Sequence, residues 1–339
     1  MFEVKNYRLR LVEPLVNSDF LDIAWVNDWP CVVKRSQYKT GDLVTYIPSD
    51  SIVPDELLEQ IGLKGKLSGS RKNRVKAVRL RGQFSCGLIV DVPNGTEEGQ
   101  DVAEILGITK YEEPIPAQLR GVARKHPPYW LHYDIENIRM YNSWFEEGES
   151  VVITEKVHGC NCSFSIHLSD ENEIVFSVSS RNITLEESDS NTYWSVARKY
   201  NIKDFMMKSF SHLLNKGDAI YLYCEILNTQ DLKYGIPNGE FEIRFFDLRF
   251  NYNWRSFYDL ASFLGNDYKT VPVLYEGPFS KEKVLEYTNG TELISGQQLH
   301  IREGCVVRPV LERYCGRNRV IAKSISEDYL TRQNGTEMH

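Results

Sequence analysis

The string Glu155-Lys-Val-His-Gly-Cys-Asn sets Lys156 three residues ahead of Gly159, at the end of a strand-like run. A lysine so placed can attack phosphorus, but only as the free amine, because an ammonium ion has no lone pair. Burial, cationic neighbours or a metal ion can deprotonate it. Four later segments carry groups that suit such a reaction. Ser179-Ser-Arg-Asn ends a strand with Arg181, a planar cation that fits a phosphate or ribose edge. Tyr223-Cys-Glu puts Glu225 at the end of an apolar strand, where a carboxylate needs a partner. Phe245-Phe-Asp repeats that arrangement, with Phe246 beside Asp247. Glu303-Gly-Cys-Val-Val places another carboxylate before a strand, and Arg319-Val-Ile-Ala-Lys supplies a second lysine, Lys323.

These groups need a scaffold of strands. From residue 149 onward the alternation predicts strands at Ser150-Val-Val-Ile-Thr, Ser163-Phe-Ser-Ile-His, Ile174-Val-Phe-Ser-Val, Ala219-Ile-Tyr-Leu-Tyr-Cys-Glu and Phe241-Glu-Ile-Arg-Phe-Phe-Asp. Helical spacing is found at 191–215, 256–264 and 281–287. The expected class is α+β with antiparallel sheets. Residues 1 to about 120 read as all-β. Their short strands are Asp22-Ile-Ala-Trp-Val, Cys31-Val-Val-Lys, Asp42-Leu-Val-Thr-Tyr-Ile, a run over 74–81 and another over 84–92. One short helix follows Pro54. This pattern predicts a small barrel of the oligonucleotide-binding (OB) type over 1–120. Residues 121–148 mix prolines with aromatics and read as a linker packed on a neighbour, leaving a second domain over 149–339.

The formal net charge of −7 gives no global case for nucleic acid, but the distribution does. Lys64, Lys66, Arg71, Lys72, Arg74, Lys76, Arg79 and Arg81 occupy a stretch without a single acid, which suits phosphate contacts or a solvated strand edge. Seven cysteines are scattered without paired spacing. Cys160 and Cys162 form a lone C-x-C, and reduced, buried thiols are expected rather than zinc. His126, His132 and His300 have no spacing that recommends a site. No apolar run approaches a membrane span and the N-terminus lacks signal-peptide character, so a cytoplasmic protein with no membrane partner is expected. No obligate protein partner is evident.

The ordered set of segments resembles the covalent nucleotidyltransferase superfamily of RNA ligases, DNA ligases and mRNA capping enzymes. Glu155-Lys-Val-His-Gly-Cys-Asn is similar to the RNA ligase form, because His158 stands where DNA ligases usually carry aspartate. The OB-type N-terminal half, with Leu80-Arg-Gly-Gln-Phe-Ser-Cys-Gly-Leu, resembles the ATP-dependent RNA ligases of the Deinococcus and Naegleria type. The resemblance implies a nucleotidyltransferase domain over 149–339 and an enzyme using ATP and Mg²⁺ or Mn²⁺. Its reaction would seal 3′-hydroxyl and 5′-phosphate RNA ends, with nicked duplexes as partners. It implies Lys156 as the AMP-carrying nucleophile, Glu303 and Glu225 at the metal, and Glu225 near the ribose. Lys323 would lie on the α-phosphate and Arg181 on the ribose or the terminal RNA nucleotide. Phe246 and Val306 would cover the two adenine faces and Glu155 would lie at the adenine edge. His158 and Asn161 would serve the RNA-facing steps.

Two departures from the family pattern stand out. The last motif usually carries two lysines, whereas here Lys323 is alone, and Arg317 or Arg319 could complete it. The chain also ends soon after Lys323, without the C-terminal OB domain of DNA ligases and capping enzymes, which argues against both. The alternatives are a DNA ligase or other lysyl-nucleotidyltransferase, and a non-catalytic RNA-binding protein of this fold.

Overall fold

The computed structural model describes residues 2–112, 115–169, 171–333 and 335. The chain forms two compact units. The first is built on Met1–Glu112 with Asn137–Tyr141 and Glu327–Gln333, and the second on Glu113–Glu136 and Asn142–Ser326.

In the first unit, Lys5–Arg8 pairs with Leu43–Ile47, which pairs with Leu88–Val90, all antiparallel. Leu11–Pro14, Leu21–Val26 and Trp29–Lys34 form a second antiparallel meander, and Val78–Leu80 with Gln83–Ser85 a hairpin. The single strand expected over 84–92 is broken at Gly87. Its φ of +89° lies in the left-handed region, and a Cβ there would run into the Tyr46 ring and the Ile47 carbonyl. The two halves therefore join different sheets. The strand expected over 74–81 is real only at Val78–Leu80. Arg74 is drawn inward instead. Its guanidinium pairs with Asp50 at 2.6 Å and lies 3.6 Å from the centre of the Tyr111 ring. At 6% exposure, Arg74 drops out of the expected basic strip.

In the second unit, two antiparallel sheets carry the chemistry-bearing residues. The larger has the order Ala123–Arg124, Thr184–Leu185, Ile174–Ser180, Gly159–Leu168, Ala219–Leu227, Ile243–Phe250, Asn253–Trp254. In the other, Ala322–Ile325, Gly304–Pro309, Ser150–Lys156 and Val273–Pro278 are consecutive neighbours. One face of the larger sheet is apolar. Cys160, Cys162, Phe164 and Ile166 alternate along their strand and pack with Trp194, Val196, Met206 and Phe210 from two helices. Those helices, Thr192–Lys199 and Ile202–Phe210, replace the single helical stretch expected over 191–215. Asn201, at φ +48°, turns the chain between them, and Asn191 caps the first by accepting from the amides of Tyr193 and Trp194. The observed class is α+β, as the alternation predicts.

Residues 129–133 pack on the second unit, where Tyr129, Trp130 and Tyr133 cover Tyr221 and Tyr223. Six cysteines are buried, but Cys315 is exposed at the end of the short strand Tyr314–Cys315 and departs from the expected buried set. Among the described residues, no helix is long and apolar enough to cross a membrane.

Candidate active site

Lys156 ends its strand opposite Gly304, and that register brings the preceding residue, Glu303, beside it. Lys156 Nζ lies 2.5 Å from Glu303 Oε1. His158 stands on the other side of Glu303, with Nδ1 3.6 Å from Oε2. Its Nε2 hydrogen-bonds Asp231 at 2.8 Å, and its backbone amide donates to the Tyr234 hydroxyl at 2.6 Å. Gly159 explains its own place in the motif. It pairs with Leu227, and a Cβ there would collide with the Ile226 carbonyl. The Gln230 side chain donates to the Gly159 carbonyl and closes this turn.

Glu225 comes from the neighbouring strand, directly across from Asn161. Its charge acts on Lys156 and is itself acted on by Glu303, His158 and Arg181. Lys323 pairs in register with Val306. Asp134 then bridges two cations, with Oδ1 2.7 Å from Arg181 Nη2 and 3.5 Å from Lys323 Nζ. Phe246 sits at a bulge in its strand, in an aromatic cluster with Tyr133 and Tyr223.

The ionisation of this cluster follows from burial set against charge. Burial works to lower the pKa of Lys156, but Glu303 and Glu225 outweigh it and hold the amine above its usual value. Burial works to raise Glu303, yet Lys156 and His158 bring it down to about 2. For Glu225 burial wins, and its carboxyl is pushed up to about 7. Burial lowers Lys323, with Lys156 and Arg181 adding repulsion. The two lysines are thus poised oppositely, one locked as an ammonium ion and the other loosened.

A family model described as RNA ligase matches residues 149–325, more than half of the chain. The chain belongs to the RNA ligase family. A second model, described as an OB-fold domain, matches residues 4–92, so an OB fold precedes the ligase domain. No curated protein matches this chain in sequence. Among solved structures, Naegleria gruberi RNA ligase with PPi is similar at a TM-score of 0.82 and 24% identity, over 97% of this chain and 98% of that one. A lysine-to-methionine mutant of that enzyme with AMP and Mn gives 0.82 at 23%, over 97% and 98%. A lysine-to-alanine mutant with ATP and Mn gives 0.80 at 23%, over 96% and 98%. These likenesses show a common fold across both units.

Within this RNA ligase fold, the sequence-predicted residues Lys156, His158, Glu225, Glu303, Lys323, Arg181 and Asn161 are brought to one place. Glu155, expected at the adenine edge, lies apart from the Lys156 side chain. Strand alternation turns its side chain away from Lys156, and its carboxylate accepts the Leu293 amide at 2.9 Å. Arg319 cannot stand in for a second motif lysine. It is committed to Asp247 at 2.5 Å and Glu312 at 2.6 Å. Asp247 is structural: fully buried, it also takes Arg308 at 3.2 Å from the second sheet and the Tyr133 hydroxyl at 2.8 Å. Arg317 lies exposed in the turn between Tyr314–Cys315 and Asn318–Arg319. Asp134, Asp231 and Tyr234 escape a motif reading, since they lie in irregular segments with no spacing to mark them.

Proposed function

We propose that this protein is an ATP-dependent RNA ligase joining 3′-hydroxyl and 5′-phosphate ends, with nicked duplexes that carry an RNA 3′-hydroxyl as its substrates. The observation that carries this reading is the Lys156–Glu303 pair at 2.5 Å, set beside His158 and Glu225 within the segment that matches the RNA ligase family. A pure RNA-binding protein has no use for a half-buried lysine braced on a buried carboxylate.

Three transfers follow. Lys156 Nζ, once it has lost a proton, bonds the α-phosphorus of ATP, and the bond to pyrophosphate breaks. A 5′-phosphate oxygen of RNA then attacks the same phosphorus, and the P–N bond breaks to restore the amine. Finally a 3′-hydroxyl gives up its proton, bonds the RNA 5′-phosphorus and releases AMP. Lys323 and Arg181 bind phosphate or ribose oxygens, and their hold on Asp134 gives way as these arrive. Phe246 and Val306 cover the adenine faces. His158 and Asn161 act on the RNA-facing steps.

The donor set fits a hard divalent cation. Glu303 and Glu225 offer carboxylate oxygens, and no cluster of three metal-ligating side chains exists among the described residues. Mg²⁺ is commonly held this way, by one or two carboxylates together with waters and substrate phosphates. When bound, it would supply positive charge that offsets the phosphates and loosens the grip of Glu303 on the Lys156 proton. The exposed cations of the OB fold, Lys64, Lys66, Arg71, Lys72 and Arg81, meet RNA phosphates. Buried free thiols suit a reducing, cytoplasmic setting.

Incubation with α-labelled ATP and Mg²⁺ tests the reading. Label that survives denaturation and vanishes in Lys156→Ala and Glu303→Ala is expected; an unlabelled wild-type protein would overturn the proposal. Sealing of nicks with ribose but not deoxyribose 3′ ends separates RNA from DNA ligation.

A further inference from the structure

Two apolar side chains of the OB unit point into water from a turn that is firmly built. Phe20 is 75% exposed and Val16 92% exposed, between Leu11–Pro14 and Leu21–Val26. The turn is closed by the Ser18 amide on the Leu15 carbonyl (3.1 Å) and the Leu15 amide on the Leu21 carbonyl (3.2 Å). Arg35, just past the strand Trp29–Lys34, braces it. Its guanidinium donates to the Ser18 carbonyl at 2.5 Å and its amide to the Phe20 carbonyl at 2.8 Å. A turn held this closely could have folded Phe20 inward, and it does not.

A second hairpin tip meets it. Arg81, at φ +51° between Val78–Leu80 and Gln83–Ser85, donates from Nη1 to the Asn17 carbonyl at 3.3 Å. This is the end of the acid-free basic stretch, so an exposed cation docks on the turn that carries the exposed ring. Lys34, also exposed, lies across from Leu21, the residue after Phe20. Asp19 is the one acid in the turn. An aromatic face flanked by cations suits a nucleic-acid strand, whose bases stack while its phosphates take the charges. Hairpin loops of OB folds are where such strands are held.

We propose that the tips around Phe20 and Arg81 form a stacking platform for an unpaired RNA base, with the Phe20 ring on the base and Arg81 and Lys34 on the flanking phosphates. This deepens the RNA ligase reading and rests on it.

The test is fluorescence anisotropy of the full-length protein with a labelled RNA nicked duplex that carries a short single-stranded overhang. Phe20→Ala should weaken binding roughly fivefold to a hundredfold, as loss of one stacked base does, and Phe20→Trp should restore it. Arg81→Ala should weaken binding and reduce the dependence on log salt by about 0.7 to 0.9. Labelling of Lys156 by ATP should be unchanged in Phe20→Ala and Phe20→Trp. Failure of wild-type labelling would count against the enzyme reading and not against the platform. Phe20→Ala binding within twofold of wild type, with unchanged thermal unfolding, would overturn the platform. So would RNA binding that stays intact while Phe20→Ala abolishes a self-association seen in the wild type, since the turn would then be a protein contact.

Discussion

Asp231 holds Nε2 of His158 at 2.8 Å, and this leaves the other ring nitrogen facing Glu303. The Tyr234 hydroxyl pins the backbone of the same residue. His158 is therefore fixed from two sides by a loop that follows the Glu225 strand. Burial works to lower the His158 pKa, but carboxylates facing both ring nitrogens outweigh it and raise it, favouring the ring that donates from both.

Asp231→Ala should slow transfer of AMP to RNA by roughly tenfold to a hundredfold, the cost of a misplaced group, and leave lysine adenylylation much closer to wild type. His158→Ala should affect the same step. If Asp231 acts through the ring, the double variant should be no slower than His158→Ala alone. Additive losses in single-turnover assays would refute that link.

Asp134 bridges Arg181 and Lys323, the two cations proposed above to take substrate oxygens. Burial works to raise its pKa, but the two cations outweigh it and keep the carboxyl ionised. On the proposed reading it competes with phosphate for them. Asp134→Ala should lower the KM for ATP in lysine adenylylation by roughly fivefold, or ~1 kcal/mol. A rise in KM would instead make Asp134 a residue that positions the cations.

Asp247 joins the two sheets of the ligase domain by pairing with Arg308 and Arg319. Asp247→Ala leaves two buried guanidinium groups short of a partner and should cost roughly 3–5 kcal/mol in denaturant unfolding. Burial works to raise its pKa, but Arg319 and Arg308 win and set it below the ordinary 3.8. A depressed carboxyl contributes stability that is complete above its unfolded value and lost as pH falls through the folded one. Wild type should therefore lose stability below about pH 4, and Asp247→Asn should lose less over the same window.

Lys156, Glu225, Glu303 and Lys323 are legible in the sequence because each sits at a strand end or start, where alternation fixes which way a side chain points. Glu155 follows the same rule: adjacent to Lys156 in sequence, it faces the other side of the sheet. Arg74 and Arg319 look like free cations. Whether an arginine meets phosphate or a buried carboxylate depends on residues such as Asp50 and Asp247, far off in sequence. Asp134 and Asp231 lie in irregular segments, where no period constrains direction and only the folded chain brings them to Arg181 and His158. The break at Gly87 follows from a close approach to Tyr46 that no local pattern announces.

Gly159 gives the sharpest test of why the motif ends as it does. Its backbone is extended and needs no left-handed φ, so alanine is not excluded by conformation. What excludes it is the Ile226 carbonyl, which occupies the space a Cβ would take. That carbonyl belongs to the strand carrying Glu225, one residue away, so any adjustment to admit a methyl group separates Lys156 from Glu225. Gly159→Ala should therefore cut lysine adenylylation by roughly a hundredfold while the protein remains folded by circular dichroism. Gly148→Ala makes a useful control, since its φ of +82° makes alanine strained although nothing crowds the Cβ. It should lower the unfolding midpoint and leave adenylylation near wild type. Equal activity in Gly159→Ala would mean that the two strands can part without cost, and the tight register between Gly159 and Leu227 would then have no part in setting the nucleophile.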